Sequence, residues 1–327
     1  MTLPLARLGV WLVLTADGPE ASREARMSMG GVALVLVDGA ADASRALQDA
    51  FAGLDRVEAS LTLYRESELT RLNETGGAAQ ASPDLGAVLA HALDVAAAAS
   101  GAFDPTAEPL VRATGGLGGP RRTLGDAERR RLLATVGFGR VRFDRATGRV
   151  SLEPGTRLDF GGIAKGYAAD EALAALRAAG ARSGLVDLGG SSLGVFGRDA
   201  SVYVRSPDRG PEGPWASFRV RDRAVSSSGG DERPGHILDP RTGRPASRVL
   251  AASVVAATGI EADALATAVF VLGAEDGLRL LARRGAHGLV LTRKGGRRVI
   301  ETTPGFAGAF ALRPARGVAV RERLLER

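Results

Sequence analysis

The sequence predicts an α+β fold built as one large domain, and three observations carry that expectation. Helical and strand patterns are interleaved without the regular βαβ repeat of a parallel sheet. The 327 residues are 45% hydrophobic and 24% charged, a globular composition with ample material for a buried core. No composition shift, internal repeat or low-complexity linker divides the chain.

The elements follow in order. Residues 31–37 (GVALVLV) read as a strand bounded by Asp38-Gly39. Residues 41–58 set Ala43, Leu47, Ala50, Phe51, Leu54 and Val57 at helical spacing. A second helix covers about 84–99 and stops at Ser100-Gly101, glycine suiting the position after a helix end. Gly, Pro and Arg make 115–125 a surface loop. A hairpin at 141–152 turns at Thr147-Gly148, and a Gly161-Gly162 turn opens a helix of about 164–179 closed by Gly180. Short strands are expected at 183–188, 201–205, 218–225 and 249–256. Helices of about 260–272 and 275–284 and strands at 288–292 and 297–301 finish the core.

Composition narrows the function. No stretch approaches about 18 apolar residues, so an internal membrane span is not expected. The absence of cysteine excludes disulfides, thiolate metal sites, a catalytic thiol and lipid attachment through an N-terminal cysteine. A net charge of +6 and a pI near 10.5 raise nucleic acid as a partner. The arginines are scattered, however, and only Lys165 and Lys294 are lysines, so the expectation is no nucleic acid and a mild pull on anionic ligands. Arg7 ahead of the apolar run Leu8–Leu14, with Ala16 or Ala21 beside a cleavage point, reads either as a leader or as a first strand.

Four segments put glycine and polar residues where a packed core would not want them. In LDFGGIAKGYAAD (158–170) a glycine pair lets backbone approach a ligand. Free N–H groups at the helix start, with Lys165 in the first turn, suit a phosphate; the alternative is a tight turn with a surface lysine. In TGIEADALATAVFVLG (258–273), Thr258 and Glu261 match a capping box, and Asp263 and Thr267 lie four apart on one helix face. A carboxylate on so apolar a helix needs a partner, either a hard cation such as Mg²⁺ or one of the arginines. In SSSGGDERPGHILDPRTGRPA (226–246), His236 precedes a strong turn and is placed either to move a proton or to serve the structure. YRESELTRLN (64–73) and SGAFDPTAEPLV (100–111) add Tyr64, able to stack on a flat ring, and the Asp104-Pro105 turn.

Taken in this order, SELTRLN, GAFDPT, LDFGGIAKGYAAD, VDLGG, SSSGG, HILDPRTG and ADALATA resemble the ApbE family of FAD:protein FMN transferases over roughly residues 29–275. The resemblance implies an ApbE-like (T-fold-like) α+β domain over 26–327, with 1–25 a signal segment or flexible N-terminus. It implies Mg²⁺ held by Asp263, Thr267 and the carbonyl of Ala164. It implies FAD as donor substrate, with Met29 and Tyr64 flanking the adenine and Ala102, Phe103, Asp104 and Asp170 lining the site beside Lys165. His236 would be the catalytic histidine.

The implied reaction esterifies a Thr or Ser hydroxyl of an acceptor flavoprotein with FMN and releases AMP. A membrane-associated redox partner and an exported, periplasmic-side location follow as expectations, with the cytoplasm as alternative. An Mg²⁺-dependent FAD pyrophosphatase and a non-catalytic FAD-binding protein are the competing readings. The chain departs from the family pattern at Gly31, at Ser191-Ser192, at Asp231 and in the short link from Arg233 to His236.

Overall fold

The structure is a computed structural model and describes residues 21–76, 79–205, 213–229 and 235–323. Its main sheet runs in spatial order through Ser22–Ser28, Gly31–Asp38, Ser183–Leu188, Ser192–Val204, Ala216–Gly229, Ala251–Ala256, His287–Lys294, Arg297–Thr302 and Val318–Glu322. Neighbours are antiparallel except the last pair, which is parallel. Side chains alternate across the sheet, as the two-residue period of a strand requires. In Gly31–Asp38, Ala33, Val35 and Val37 enter the core under the helices, while Leu34 and Leu36 face a second core around Trp215, Phe218 and Phe306.

The helices are α1 (Ala43–Leu61), α2 (Glu68–Thr75), α3 (Pro83–Ala98), α4 (Glu108–Ala113), α5 (Asp126–Leu133), α6 (Ala164–Ala178), α7 (Gly259–Leu272), α8 (Ala274–Arg283) and the single turn α9 (Phe306–Ala309). α1 starts where Asp42 accepts a hydrogen bond from the Arg45 N–H. α3 ends where Ser100 and Gly101 turn left-handed, at φ 51° and 75°. α6 and α7 cross through two facing glycines. A Cβ on Gly166 would strike the Gly259 carbonyl, and a Cβ on Gly259 the Gly166 carbonyl, so only glycine permits this approach.

The structure adds what short windows could not carry. α2, α4 and α5 are one- and two-turn helices without a long apolar stripe, and the segments expected at 201–205 and 218–225 are parts of the long strands Ser192–Val204 and Ala216–Gly229. Ser22–Ser28 pairs along its whole length with Gly31–Asp38 through a Met29-Gly30 turn at φ 53° and 77°. The expected leader of 1–25 therefore overlaps a sheet strand at its end, and the rest of it lies outside the described residues. Among the described residues no helix is long and apolar enough to cross a membrane.

Candidate functional site

Three pieces of chain meet over the helix side of the sheet: the Gly161-Gly162 turn with the start of α6, the serines of Ala216–Gly229, and α7. Asp263 is 8% exposed. Its Oδ1 accepts from Ser226 Oγ at 2.7 Å and Ser192 Oγ at 3.3 Å, and its Oδ2 accepts from the Gly166 N–H at 3.0 Å. The glycine crossing is what brings that N–H within reach. Burial pushes the Asp263 carboxyl above its ordinary range, against the pull of those donors and of the Lys165 charge. The arginine partner considered for it is replaced by neutral donors.

Thr267, one turn on, lies 3.4 Å from Ser228 Oγ. Gly162 packs against it so closely that a Cβ at 162 would sit 3.0 Å from Thr267 Oγ1 and 3.4 Å from the Phe103 ring. Lys165 reaches Ser191 Oγ at 3.3 Å. Asp187, at the end of Ser183–Leu188, accepts from the Gly190 N–H at 3.0 Å. Its burial outweighs that bond and the Lys165 charge, and its carboxyl is pushed up to about 6.

Two expectations about local hydrogen bonding are corrected here. The Gly161-Gly162 turn does not hold out a row of free N–H groups. Gly161 N donates to Asp159 at 2.7 Å, Ile163 and Ala164 donate to the Phe160 carbonyl, and Gly166 donates to Asp263. These bonds take up most of the N–H groups at the turn, and Lys165 adds a charge suited to an anion. The Thr258–Glu261 capping box does not form either. Thr258 makes no capping bond through its side chain. Asp170 of α6 takes its place, accepting from the Gly259 and Ile260 N–H groups at 2.6 and 2.9 Å. Glu261 instead meets His91 and Arg284.

The remaining expected residues are spread more widely. Asp104 is buried and locks its own loop, accepting from Thr106 N at 2.9 Å, Thr106 Oγ1 at 2.6 Å and Phe138 N at 2.8 Å. Ala102 and Ala164 are buried beside these segments. Met29 heads the first hairpin, its N–H on Glu58 at 2.7 Å. Tyr64 is 72% exposed and lines a groove of about 770 Å³ with Arg65, Arg71, Arg112 and Arg157. His236 is exposed on the approach to Leu238–Asp239. The turn that follows it packs on the Gly101 loop, where a Cβ at 101 would sit 3.6 Å from Arg241. Asp231 and Arg233 lie outside the described residues.

The donor set tests a metal directly. The side chains that face one another around Asp263 and Thr267 offer one carboxylate and hydroxyls, oxygen donors throughout. Among the described residues no three or more His, Asp or Glu side chains gather into a ready-made cage. One carboxylate with a hydroxyl fits Mg²⁺, which keeps several waters and takes oxygens from substrate phosphates. Reasoning from sequence picked out the Gly161-Gly162 pair and the SSSGG segment but did not join Ser192, Ser226, Ser228 and Gly166 to Asp263 and Thr267. The alternate serines of SSSGG were the available signal, since residues i and i+2 of a strand share a face.

Comparisons with known proteins give the family and the fold. Residues 29–290 match the family model described as ApbE family. An FAD:protein FMN transferase of Treponema pallidum (strain Nichols) is 35% identical over 273 residues, covering 74% of this chain and 75% of that one. One from Rhodobacter capsulatus is 33% identical over 300 residues, covering 85% of this chain and 56% of the relative, so the chain spans just over half of that longer protein. Among solved structures, the apo Pseudomonas stutzeri flavinyl transferase ApbE superposes with a TM-score of 0.80 at 26% identity over 89% of this chain and 97% of that one. The Vibrio cholerae flavin transferase ApbE gives 0.79 at 24% identity, over 88% and 99%, and so speaks for the fold. With the family model covering residues 29–290 and the fold matched over 89% of the chain, the chain belongs to the ApbE family.

Proposed function

We propose that this ApbE-family enzyme is an FAD:protein FMN transferase whose reacting centre is the Asp263–Thr267–Lys165 cluster. The observation that carries the reading is the buried Asp263 carboxylate, held by neutral donors on α7 beside Thr267, in a family of flavin transferases. Asp263, Thr267 and the carbonyl of Ala164 would hold Mg²⁺. Once bound, the ion would neutralise charge on the FAD pyrophosphate as a Lewis acid.

The chain's own groups then have separate tasks. Lys165 attracts the diphosphate as a point charge. Phe103 and the Gly162 turn wall the site, and Met29 and Tyr64 flank the adenine. The acceptor's Ser or Thr oxygen bonds to the FMN-side phosphorus, the bridging P–O bond breaks, and AMP leaves with the bond's electron pair. His236 takes the hydroxyl proton, directly or through water. The leader pattern at Arg7 and Leu8–Leu14 supports an exported site of action, which cell fractionation tests.

Incubation with FAD, Mg²⁺ and a library of Ser- and Thr-containing peptides, read by mass spectrometry, tests the transfer. The expected product is a peptide heavier by FMN less water, with one AMP per event. FMN and AMP without modified peptide would make water the acceptor. Intact FAD throughout would overturn both readings.

A further inference from the structure

Two spacings coincide where the strand Ala216–Gly229 meets α7. Residues i and i+2 of a strand lie about 6.7 Å apart, and residues i and i+4 of a helix rise about 6 Å. Ser226 and Ser228 therefore meet Asp263 and Thr267 in register, one serine to each, at 2.7 and 3.4 Å. Ser227 points through the other face of the sheet to Ser253, at 2.8 Å.

The donors are divided unequally between the two carboxylate oxygens. Oδ1 has Ser226 and Ser192 within hydrogen-bond distance, enough to occupy both of its acceptor directions, while Oδ2 has the Gly166 N–H alone. Ser226 has one proton and a second acceptor within reach, the Ser191 carbonyl at 3.0 Å. The shorter bond to the ionised oxygen is the stronger one.

We infer that Ser226 and Ser228 are positioning residues: Ser226, with Ser192, occupies Asp263 Oδ1 so that Oδ2 is the oxygen offered to a cation, and Ser228 orients the Thr267 hydroxyl beside it. The inference rests on the reading of Asp263 and Thr267 as metal ligands. Partners of this kind set the orientation of a ligand, and their loss commonly lowers metal affinity 10- to 100-fold.

The test titrates Mn²⁺, which shares the oxygen preference of Mg²⁺, into the FAD-free full chain and reads free ion by electron paramagnetic resonance. Thermal unfolding of each metal-free variant is recorded alongside. Ser226→Ala should weaken binding about tenfold or more, with Ser226→Thr, which restores the hydroxyl, close to wild type. Ser228→Ala should weaken it several-fold, and it carries the test if Ser226→Ala does not fold. Ser227→Ala, on the same strand but the opposite face, should leave Mn²⁺ affinity unchanged.

Wild-type affinity in Ser226→Ala and Ser228→Ala, with binding abolished in Asp263→Ala, overturns this inference alone. Equal weakening in Ser227→Ala also overturns it, since the effect would then be one of fold. A wild type without a saturable site, or an Asp263→Ala variant that binds like wild type, overturns the metal reading and the inference with it.

Discussion

Two sets of buried and half-buried carboxylates contrast in this molecule. Asp84, Glu261 and Glu301 face cations: Arg56 at 2.9 Å, Arg284 at 2.8 Å, and Arg323 with Lys294 at 2.6 and 2.9 Å. Burial raises all three, and the hydrogen bonds from these partners, joined by His91 at Glu261 and by the Tyr167 hydroxyl at Asp84, override it, so each carboxyl titrates below its ordinary range, Glu261 at about 2. Asp104, Asp159, Asp170, Asp187 and Asp263 instead take their hydrogen bonds from hydroxyls and backbone N–H groups, and burial leaves each above its ordinary range. The second set lies in the segments GAFDPT, LDFGG, AKGYAAD, VDLGG and ADALATA. In a chain with 43 Lys and Arg residues, cations are not scarce. Neutral partners leave a carboxylate its full charge for a helix end, as at Asp170, or for an external cation, as proposed at Asp263.

The most severe way to break this division is Asp263→Ala. We expect Mg²⁺-dependent FMN transfer to fall about a thousandfold or more, with the far-UV circular dichroism of the folded protein retained. The abandoned donors, Ser226, Ser192 and the Gly166 N–H, cost about 1–3 kcal/mol each at most if left unpaired, which a domain of this size withstands. Transfer at wild-type rates would return Asp263 to the structural set.

Glu261→Ala, two residues away, should do the reverse. Glu261 is 13% exposed and Arg284 30% exposed, so removing the carboxylate should cost about 2–3 kcal/mol, below the figure for a fully buried pair. The loss reads as a lower Tm, with turnover at a permissive temperature within about threefold of wild type. The pH dependence has a defined sign. Because the folded pKa is depressed, this stability is present above the unfolded value of about 4.3 and is lost as pH falls towards about 2. The variant should therefore lose part of its acid-unfolding slope in that window. A collapse of transfer at permissive temperature with Tm unchanged would count against the division.

Asp187→Asn probes the opposite sign. With the folded carboxyl pushed up to about 6, the native state binds a proton between roughly pH 4 and 6 that the unfolded chain does not. Wild-type stability should fall as pH rises through that window and level off above it. The total is at most about 3 kcal/mol. Asparagine should flatten the slope and make the protein more stable at pH 7 than wild type, as read by urea unfolding across pH. An unchanged slope would show that Asp187 is solvated or paired in solution.

Much of this division was legible in the residues, and the limits have physical causes. Long apolar periods announced α1, α3, α6, α7 and α8, because each must bury apolar side chains against the sheet or against a neighbouring helix. Ser22–Ser28 escaped because an edge strand with polar side chains carries little hydrophobic signal. Asp263 and Thr267 were visible as an i, i+4 pair on an apolar helix. Their actual partners were not, since Ser226 and Gly166 are 37 and 97 residues distant in sequence. Thr258 looked like a cap for the same reason. A local rule sees the nearest hydroxyl, while the fold delivers Asp170 from 89 residues away.

The smallest expected effect concerns a pair that looks strong on paper. Arg45 Nε donates to both oxygens of Asp49, at 2.9 and 3.0 Å, in α1. Both side chains are exposed, 71% and 45%. Water and salt screen such a pair, and fixing two mobile side chains costs entropy. The order is also the weaker one, because the cation precedes the anion and sits in the first helical turn, against the dipole. Asp49→Ala should therefore change stability by less than about 0.5 kcal/mol, within the error of a urea titration. Glu261 and Asp49 have similar hydrogen-bond lengths to arginine and differ mainly in burial. If Asp49→Ala proved as costly as Glu261→Ala, arginine pairing itself would stabilise this protein at any depth.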